Sequence, residues 1–263
     1  MQKLLKMKKT LLALLGLLVF VSCSDDEEVD NTAPSILEAT MDGEDHDLSF
    51  NDGDQVALQV DLSDNVELSQ LKLDIHDLFD GHSHGKSNST WEMTKVYTVS
   101  GASATVNDNL DVPSPVVAGP YHVILQLVDA AGNESDFKEL EFIVKNGSEP
   151  QFGVTAPDFS NEVHAPKGQA FAMAGTITDD VDLDEILIRI SEEHDDHNHK
   201  KSGEAPIFED DVDLPGSSDT SFDLSTLSIT IPADAEEGHY IIEISAKDND
   251  GNYGIWEAEI HVM

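Results

Sequence analysis

Short stretches in which apolar and polar residues alternate recur along the chain from Ala33 onward. Turns rich in Asp, Asn, Gly and Pro separate these stretches at intervals of roughly eight to twelve residues, as in all-β proteins. In residues 55–62, every second residue is Val or Leu. An alternation of period two places the apolar side chains on one face, so this stretch predicts a half-buried β-strand.

The same pattern predicts further strands in both halves of the chain, and no stretch after the N-terminal region has the period of an amphipathic helix. In the first half the predicted strands cover residues 71–75, 93–99, 121–128 and 140–144. In the second half they cover residues 171–177, 186–190, 207–214, 240–246 and 256–262.

The two halves align with each other without a gap when the numbering is shifted by 115. Residues 63–68 fall on residues 178–183, and residues 71–75 fall on 186–190. About seven strands in some 110 residues, twice over, predict two tandem immunoglobulin-like β-sandwich domains. We assign the domains to residues 34–146 and 151–263, with residues 147–150 as a short linker.

A second repeated motif supports this fold. Tyr121 precedes Asp129-Ala130-Ala131-Gly132-Asn133, and Tyr240 precedes Asp248-Asn249-Asp250-Gly251-Asn252. Each Tyr fits a tyrosine corner, in which the hydroxyl bonds back to the chain. Each Asp can accept from the amides of its turn. The alternative is that these carboxylates bind calcium together with residues from the matching loops, and the candidate ligands are Asp64, Asp129, Asp179 and Asp248.

The N-terminus has the pattern of a lipoprotein signal peptide, residues 1–22. Four lysines precede an apolar run that is too short to span a bilayer. Phe20-Val21-Ser22-Cys23 resembles a bacterial lipobox, and Cys23 is the only cysteine. We therefore expect lipidation of Cys23, an acidic tether over residues 23–33, and attachment to the outer membrane. The acidic run after Cys23 favours exposure at the cell surface over the periplasmic face.

The composition excludes several partners. Removal of the signal leaves 10 basic against 53 acidic residues, a formal charge of −43. Such a field repels nucleic acid and anionic lipid. With 39% hydrophobic residues the chain can still form packed cores. The chain also contains two His-x-His segments, His82-Ser83-His84 and His197-Asn198-His199. Together with the lipobox, the acidic run and the β-repeats, they resemble a lipoprotein family of Bacteroidota, domain of unknown function 4625. This resemblance implies no established activity.

The histidines are the candidate metal-binding residues. In the alignment of the halves, His82 falls on His197 and His84 on His199, so both copies carry a His-x-His segment. In extended backbone, residues i and i+2 face the same side and can converge on one ion. Adding the nearest preceding histidine of each half gives the candidate ligands His76, His82, His84, His194, His197 and His199. Water or one of Asp77, Asp80, Asp195 and Asp196 could complete the coordination.

These ligands favour zinc, copper or nickel. We therefore expect a membrane-anchored protein that binds or buffers transition metal and hands it to an outer-membrane transporter. The alternative is a cell-surface adhesion or assembly module that binds protein or glycan. An enzyme is not expected, because the catalytic motifs of hydrolases and phosphate-binding enzymes are missing from the sequence. The remaining histidines are expected to be ordinary surface or strand residues: His46, His122, His164, His239 and His261.

Overall fold

The computed structural model describes residues 29–78, 90–192, 205–214 and 218–263. The chain from Asn31 to Met263 forms one compact unit. It contains two β-sandwiches that follow each other along the chain, and the predicted all-β tandem fold is confirmed. No helix in the described ranges is long and apolar enough to cross a membrane.

The first sandwich consists of a three-stranded and a five-stranded sheet, ordered β1-β3-β6 and β2-β8-β7-β4-β5. All neighbours are antiparallel except β2 and β8. Its strands are β1 (Ser35–Met41), β2 (Leu48–Asn51), β3 (Gln55–Ser63), β4 (Leu68–Asp77), β5 (Met93–Thr98), β6 (Ser103–Asp111), β7 (Gly119–Asp129) and β8 (Lys138–Lys145).

The second sandwich repeats this plan with sheets β15-β12-β9 and β10-β18-β17-β13-β14 and a small β11-β16 pair. A short 3-10 helix, Leu224–Thr226, lies between β15 and β16. The strands are β9 (Gln151–Ala156), β10 (His164–Ala165), β11 (Ala170–Phe171), β12 (Ala174–Thr178), β13 (Leu183–Glu192), β14 (Phe208–Asp213), β15 (Ser221–Asp223), β16 (Ile229–Thr230), β17 (Gly238–Asp248) and β18 (Tyr253–Val262).

Each sandwich has its own apolar core, built from the alternation seen in the sequence. In β3 the apolar residues Val56, Leu58, Val60 and Leu62 are all buried, while their neighbours are exposed or partly exposed. The five-stranded sheets bury Leu and Ile residues of β4 and β7 in the first core, and of β13 and β17 in the second. The outward faces of these strands are therefore left for polar side chains.

The predicted single strand over residues 171–177 is wrong. The chain forms two short strands there, because β11 pairs with β16 whereas β12 pairs with β9 and β15. Gly175 adopts φ 134° at an irregularity in the β12–β9 register. An added Cβ at this glycine would lie 2.2 Å from the carbonyl oxygen of Gly153. Alternation alone does not show such a change of sheet.

The two sandwiches contact each other through backbone and amide groups. The Ala118 amide donates to Asn252 Oδ1 at 3.1 Å, and Asn146 Nδ2 donates to the same oxygen at 2.7 Å. The Tyr253 amide donates to the Ala118 carbonyl at 2.9 Å. The turn after β17 is therefore shared between both domains.

Candidate metal centre

The repeated Tyr and Asp motif has the structural role that the sequence predicts. Tyr121 donates from its hydroxyl to the Val117 carbonyl at 2.8 Å, and Tyr240 donates to the Glu236 carbonyl at 3.2 Å. Both bonds span four residues, so each domain contains a tyrosine corner. The hydroxyl of Tyr121 also accepts from the Trp91 amide at 3.4 Å.

The carboxylates of the matching turns accept from their own turn residues. Asp129 Oδ1 accepts from the Asn133 amide at 2.8 Å, and its Oδ2 accepts from Asn133 Nδ2. Asp248 makes the same two bonds with Asn252, both at 2.7 Å. Asp129 and Asp248 are both buried. Closing the turn therefore occupies both oxygens of each carboxylate.

The partner carboxylates suggested for calcium lie beside these turns. A carboxylate oxygen of Asp64 lies within 4.8 Å of one of Asp129. Asp64 Oδ1 and Asp179 Oδ2 are buried and have no hydrogen-bond partner among the residues that the structure describes. Burial raises the pKa of Asp179 to about 6, and the charges of Asp248, Asp180 and Asp250 also raise it. The calcium interpretation of these four aspartates stays a prediction.

Most of the candidate metal ligands lie outside the described residues. These are His82, His84, His194, His197 and His199, together with Asp80, Asp195 and Asp196, and the same holds for Cys23. His76 is described and is the penultimate residue of β4. Asp77 follows it, and its register partner is Tyr121 on β7.

His76 faces a histidine that the sequence repeat does not single out. In the antiparallel register of β4 and β7, His76 pairs directly with His122. Their ring centroids are 3.9 Å apart, with the planes at 79°. The Nε2 atoms of the two rings point at each other and are in direct contact.

The opposite nitrogen of each ring is close to a carboxylate. Nδ1 of His122 contacts Glu139 Oε1, and Nδ1 of His76 is 3.3 Å from Asp74 Oδ1. A carboxylate beside Nδ1 favours the imidazole tautomer that carries its proton on that nitrogen. In this neutral tautomer, Nε2 carries the lone pair. Two lone pairs in contact repel each other, and a proton or a metal cation between the rings would remove that repulsion.

The pair combines a fixed and an adjustable ligand. The side chain of His122 is only 9% exposed, whereas that of His76 is 41% exposed. A tetrahedral metal bound at about 2.1 Å needs its two nitrogens about 3.4 Å apart. Rotation of the exposed His76 ring can open this gap while His122 stays in place.

An open pocket of about 350 Å³ lies beside His76. Its lining includes Asp74, Glu92, Met93 and Thr94. Glu92 offers carboxylate oxygens near the paired imidazoles, whereas Met93 pairs with buried Ile75 and packs against the apolar core. Imidazole and carboxylate suit zinc.

The sequence reasoning missed His122 because it compared the two halves. The second domain has Ser191 opposite Ile241 at the matching register, and neither is a usual metal-ligand residue type. A signal was nevertheless present in the sequence. His122 immediately follows the corner residue Tyr121 on a strand whose core-facing residues are at the odd positions, so it belongs to the outward face beside β4, where it is itself buried.

The fold and the motifs define this protein as a tandem immunoglobulin-like or fibronectin-like β-sandwich protein. Residues 21–145 and 138–263 both match the family described as Domain of unknown function (DUF4625). The chain belongs to this family and carries two copies of its domain. No curated protein matches the chain.

Several solved structures are similar to this chain. Fibronectin(III)-like modules of Clostridium thermocellum CbhA are 15% identical, with 86% of this chain and 93% of that chain covered and a TM-score of 0.26. A tetra-tandem repeat from the extending region of a large adhesion protein is 17% identical, with 89% and 50% covered and a TM-score of 0.33. A chimeric titin Z1Z2 tandem is 15% identical, with 88% and 98% covered and a TM-score of 0.33.

Proposed function

We propose that this protein is a membrane-anchored lipoprotein that binds transition-metal ions. The observation that carries the proposal is the contact between the Nε2 atoms of His76 and His122. Carboxylates hold the opposite nitrogen of both rings, as is common for histidines that bind metal. A cation between the two lone pairs turns a repulsive contact into a stabilising one.

The donors select the class of ion. Two imidazoles with a carboxylate nearby favour zinc, copper or nickel over calcium, which prefers an all-oxygen shell. Zinc is the first choice because it accepts mixed nitrogen and oxygen ligands in tetrahedral geometry without redox chemistry. The predicted contribution of the His-x-His segments is a separate question, since β4 ends at Asp77, before the first of them begins.

The proposed cellular role follows from the N-terminal sequence. A lipid on Cys23 would hold the protein at the outer membrane, and the acidic run after it favours the cell surface. A negatively charged chain concentrates cations near itself. Metal captured there could be buffered, or handed to an outer-membrane transporter.

Metal titration of the chain from Ser24 onward tests this function. This chain retains every strand that the structure describes, because those strands lie between Asn31 and Met263. Isothermal titration with Zn²⁺, Cu²⁺, Ni²⁺ and Ca²⁺, after removal of any purification tag, should show tight binding of a transition metal and weak binding of calcium. His76→Ala with His122→Ala should remove one metal equivalent per chain.

Matched variants identify the ligands. His46→Ala removes an exposed histidine that bonds to Asp45 on the same domain, and it should leave binding unchanged. His82→Ala with His84→Ala reports separately on the first His-x-His segment. Binding should weaken between about pH 7 and 5.5, because protonated imidazole does not bind metal. If every transition metal binds more weakly than about 100 µM, the proposal is wrong.

A second candidate function is a cell-surface adhesion or assembly module. The observation that favours it is the joint between the sandwiches, where Asn252 accepts from both Ala118 and Asn146. Such a joint limits the freedom of tandem domains, which suits presentation of a binding surface away from a membrane. This function would take first place if the titration shows no metal binding. It predicts that the chain binds cell-surface glycans or proteins in the presence of EDTA.

A further inference from the structure

Three further histidines lie side by side at one end of the second sandwich. His239 on β17 pairs with His261 on β18, and His164 on β10 pairs with His261 from the other side. Register partners on neighbouring strands project from the same face of a sheet. The rings of His239 and His261 are parallel with centroids 4.9 Å apart, and those of His164 and His261 are 5.6 Å apart.

Two carboxylates contact this histidine row. Glu162 Oε1 is 3.1 Å from Nδ1 of His261, and Glu259 contacts Nδ1 of His239. One ligand atom each from Glu162, His164 and His261 can be chosen so that all three lie within 4.8 Å of one another. Ligands of a tetrahedral zinc ion are separated by about 3.4 Å. Small side-chain rotations therefore suffice to bring these atoms onto one ion.

The state of His261 points independently to a ligand. Its Nδ1 is buried, and within the described part of the chain it has no hydrogen-bond partner. Glu162 is near enough to that nitrogen for an ion pair, but it does not meet the directional requirement of a hydrogen bond. A buried nitrogen without a hydrogen bond is costly unless it binds something else.

There is room for an ion and its water at this end of the domain. A pocket of about 410 Å³ is lined by Glu162, Val163 and His164, with Pro166 and Phe171 on its other sides. Glu162 and His164 are exposed, so an ion can reach them from solvent. The parallel ring of His239 packs on His261 and sets the plane in which His261 presents its nitrogens.

We propose that Glu162, His164 and His261 bind a divalent transition-metal ion in the second domain. Two imidazole nitrogens and one carboxylate oxygen are typical zinc ligands, and a water would complete four-coordination. His239 is a positioning residue in this proposal. The site uses none of the residues of the His76–His122 pair, so it stands independently of the first proposal.

The first domain has no counterpart of this cluster. The matching positions there are Ser49, Ile143 and Pro120, which occupy the same registers between β2, β8 and β7. A comparison of the two repeats therefore could not find it. The domains would each carry one metal site on the same sheet, built from different strands.

The test is the number of metal equivalents bound by the chain from Ser24 onward, measured with Zn²⁺ by titration and by elemental analysis after dialysis. We expect two equivalents in the wild-type chain. His164→Ala with His261→Ala should remove one, and His76→Ala with His122→Ala should remove the other. Glu162→Gln should weaken the second-domain site at least about tenfold, since lost ligand contacts cost that much or more.

Two controls keep the outcomes distinct. His46→Ala removes an exposed histidine outside both sites and should keep two equivalents. His164→Gln changes only one exposed side chain, so the variant should fold normally, and thermal unfolding checks this. Loss of metal in a folded His164→Gln protein is then due to the lost ligand. Unchanged zinc binding in the His164→Ala/His261→Ala variant would overturn this proposal alone. The opposite result would be loss of all zinc binding in the His164→Ala/His261→Ala variant and unchanged binding in the His76→Ala/His122→Ala variant. That result would overturn the first proposal alone.

Discussion

The chemistry of single residues in this protein depends on what lies across the neighbouring strand. His122 becomes a candidate ligand because His76 is its register partner, and its Nδ1 contacts Glu139. Acidic residues show the same dependence. Most of the acidic residues that the structure describes are exposed, but burial and nearby like charges raise the pKa of Asp179 to about 6 from 3.8. The surroundings of each group decide which one has unusual chemistry.

Asp179 predicts a specific dependence of stability on pH. Its folded pKa lies above its unfolded value, so the folded state favours the protonated acid. Ionising this buried carboxyl lowers the free energy of unfolding. The loss is absent below about pH 4, increases as the pH rises to the folded pKa, and is complete near neutral pH. A pKa shift of this size corresponds to about 3 kcal/mol, and solvent screening of a partly exposed carboxyl reduces that value. In EDTA at pH 7.5, Asp179→Asn should therefore raise the free energy of unfolding by about 1–2 kcal/mol, and the gain should vanish near pH 4.

Urea unfolding of wild type and variant at several pH values measures this difference. Asp180→Asn is the matched control, since Asp180 is exposed and adjacent, and its effect should be smaller. Adding Ca²⁺ at pH 7.5 separates the two roles discussed for this group. Calcium should stabilise wild type but not Asp179→Asn if the aspartates bind it. A gain that is equally large at pH 4 would contradict the explanation from buried charge.

At the scale of elements, register and sheet membership position the groups that matter. The pairing of β4 with β7 brings His76 to His122, and the pairing of β10, β18 and β17 aligns His164, His261 and His239. The turn after β17 also joins the two domains, because Asn252 closes this turn and accepts a hydrogen bond from the first domain. Close approach of the chain at that point leaves little space at the start of β18.

The close packing around Gly254 predicts how much a substitution at this junction would destabilise the protein. A Cβ added at Gly254 would lie 2.1 Å from the Pro150 carbonyl oxygen and 3.1 Å from the Phe152 ring. Backbone must shift to admit it, so Gly254→Ala should destabilise the protein by about 1–3 kcal/mol. Gly238→Ala is the matched control at the start of β17, where the nearest atom would be 4.0 Å away. Thermal unfolding should show a lower Tm for the first variant only, and equal Tm values would contradict the close approach.

For the whole molecule, net charge and the predicted lipid attachment bear on the surroundings in which it would work. The formal net charge of the sequence is −39, and removal of the predicted signal would make it −43. A field of this sign attracts cations and would repel nucleic acid and anionic membrane surfaces. Attachment through a lipid would hold that field at a membrane without a spanning helix. Both properties fit a protein that collects metal ions close to a bilayer.

The anchor is tested by Cys23→Ala. This variant should move the protein from the membrane fraction to the soluble fraction of expressing cells, because one thiol is the only site for the lipid. Ser24→Ala, which keeps the thiol, should leave the protein in the membrane fraction. Fractionation with immunodetection gives the measurement. A Cys23→Ala protein that remains in the membrane fraction would disprove lipid attachment at this residue.

Much of the fold could be predicted from local sequence because its causes are local. Alternation in residues 55–62 predicts the buried face of β3, since side chains of a strand point to opposite faces in turn. Tyr121 and Tyr240 predict the corners, because each hydroxyl bonds to a carbonyl only four residues away. The Asp129 and Asp248 turns also close over four residues.

The contents of the candidate sites depended on contacts between distant residues. His76 and His122 are 46 positions apart, and the distance between His164 and His261 is greater still, so only strand pairing shows that they meet. The break at β11 and β12 has the same origin, because it reflects a change of sheet partner rather than a change of pattern. The sequence by itself determined strands, corners and the repeat, through interactions within a few residues. The tertiary structure alone decided which histidines share a site, because register is set by packing of the whole sheet.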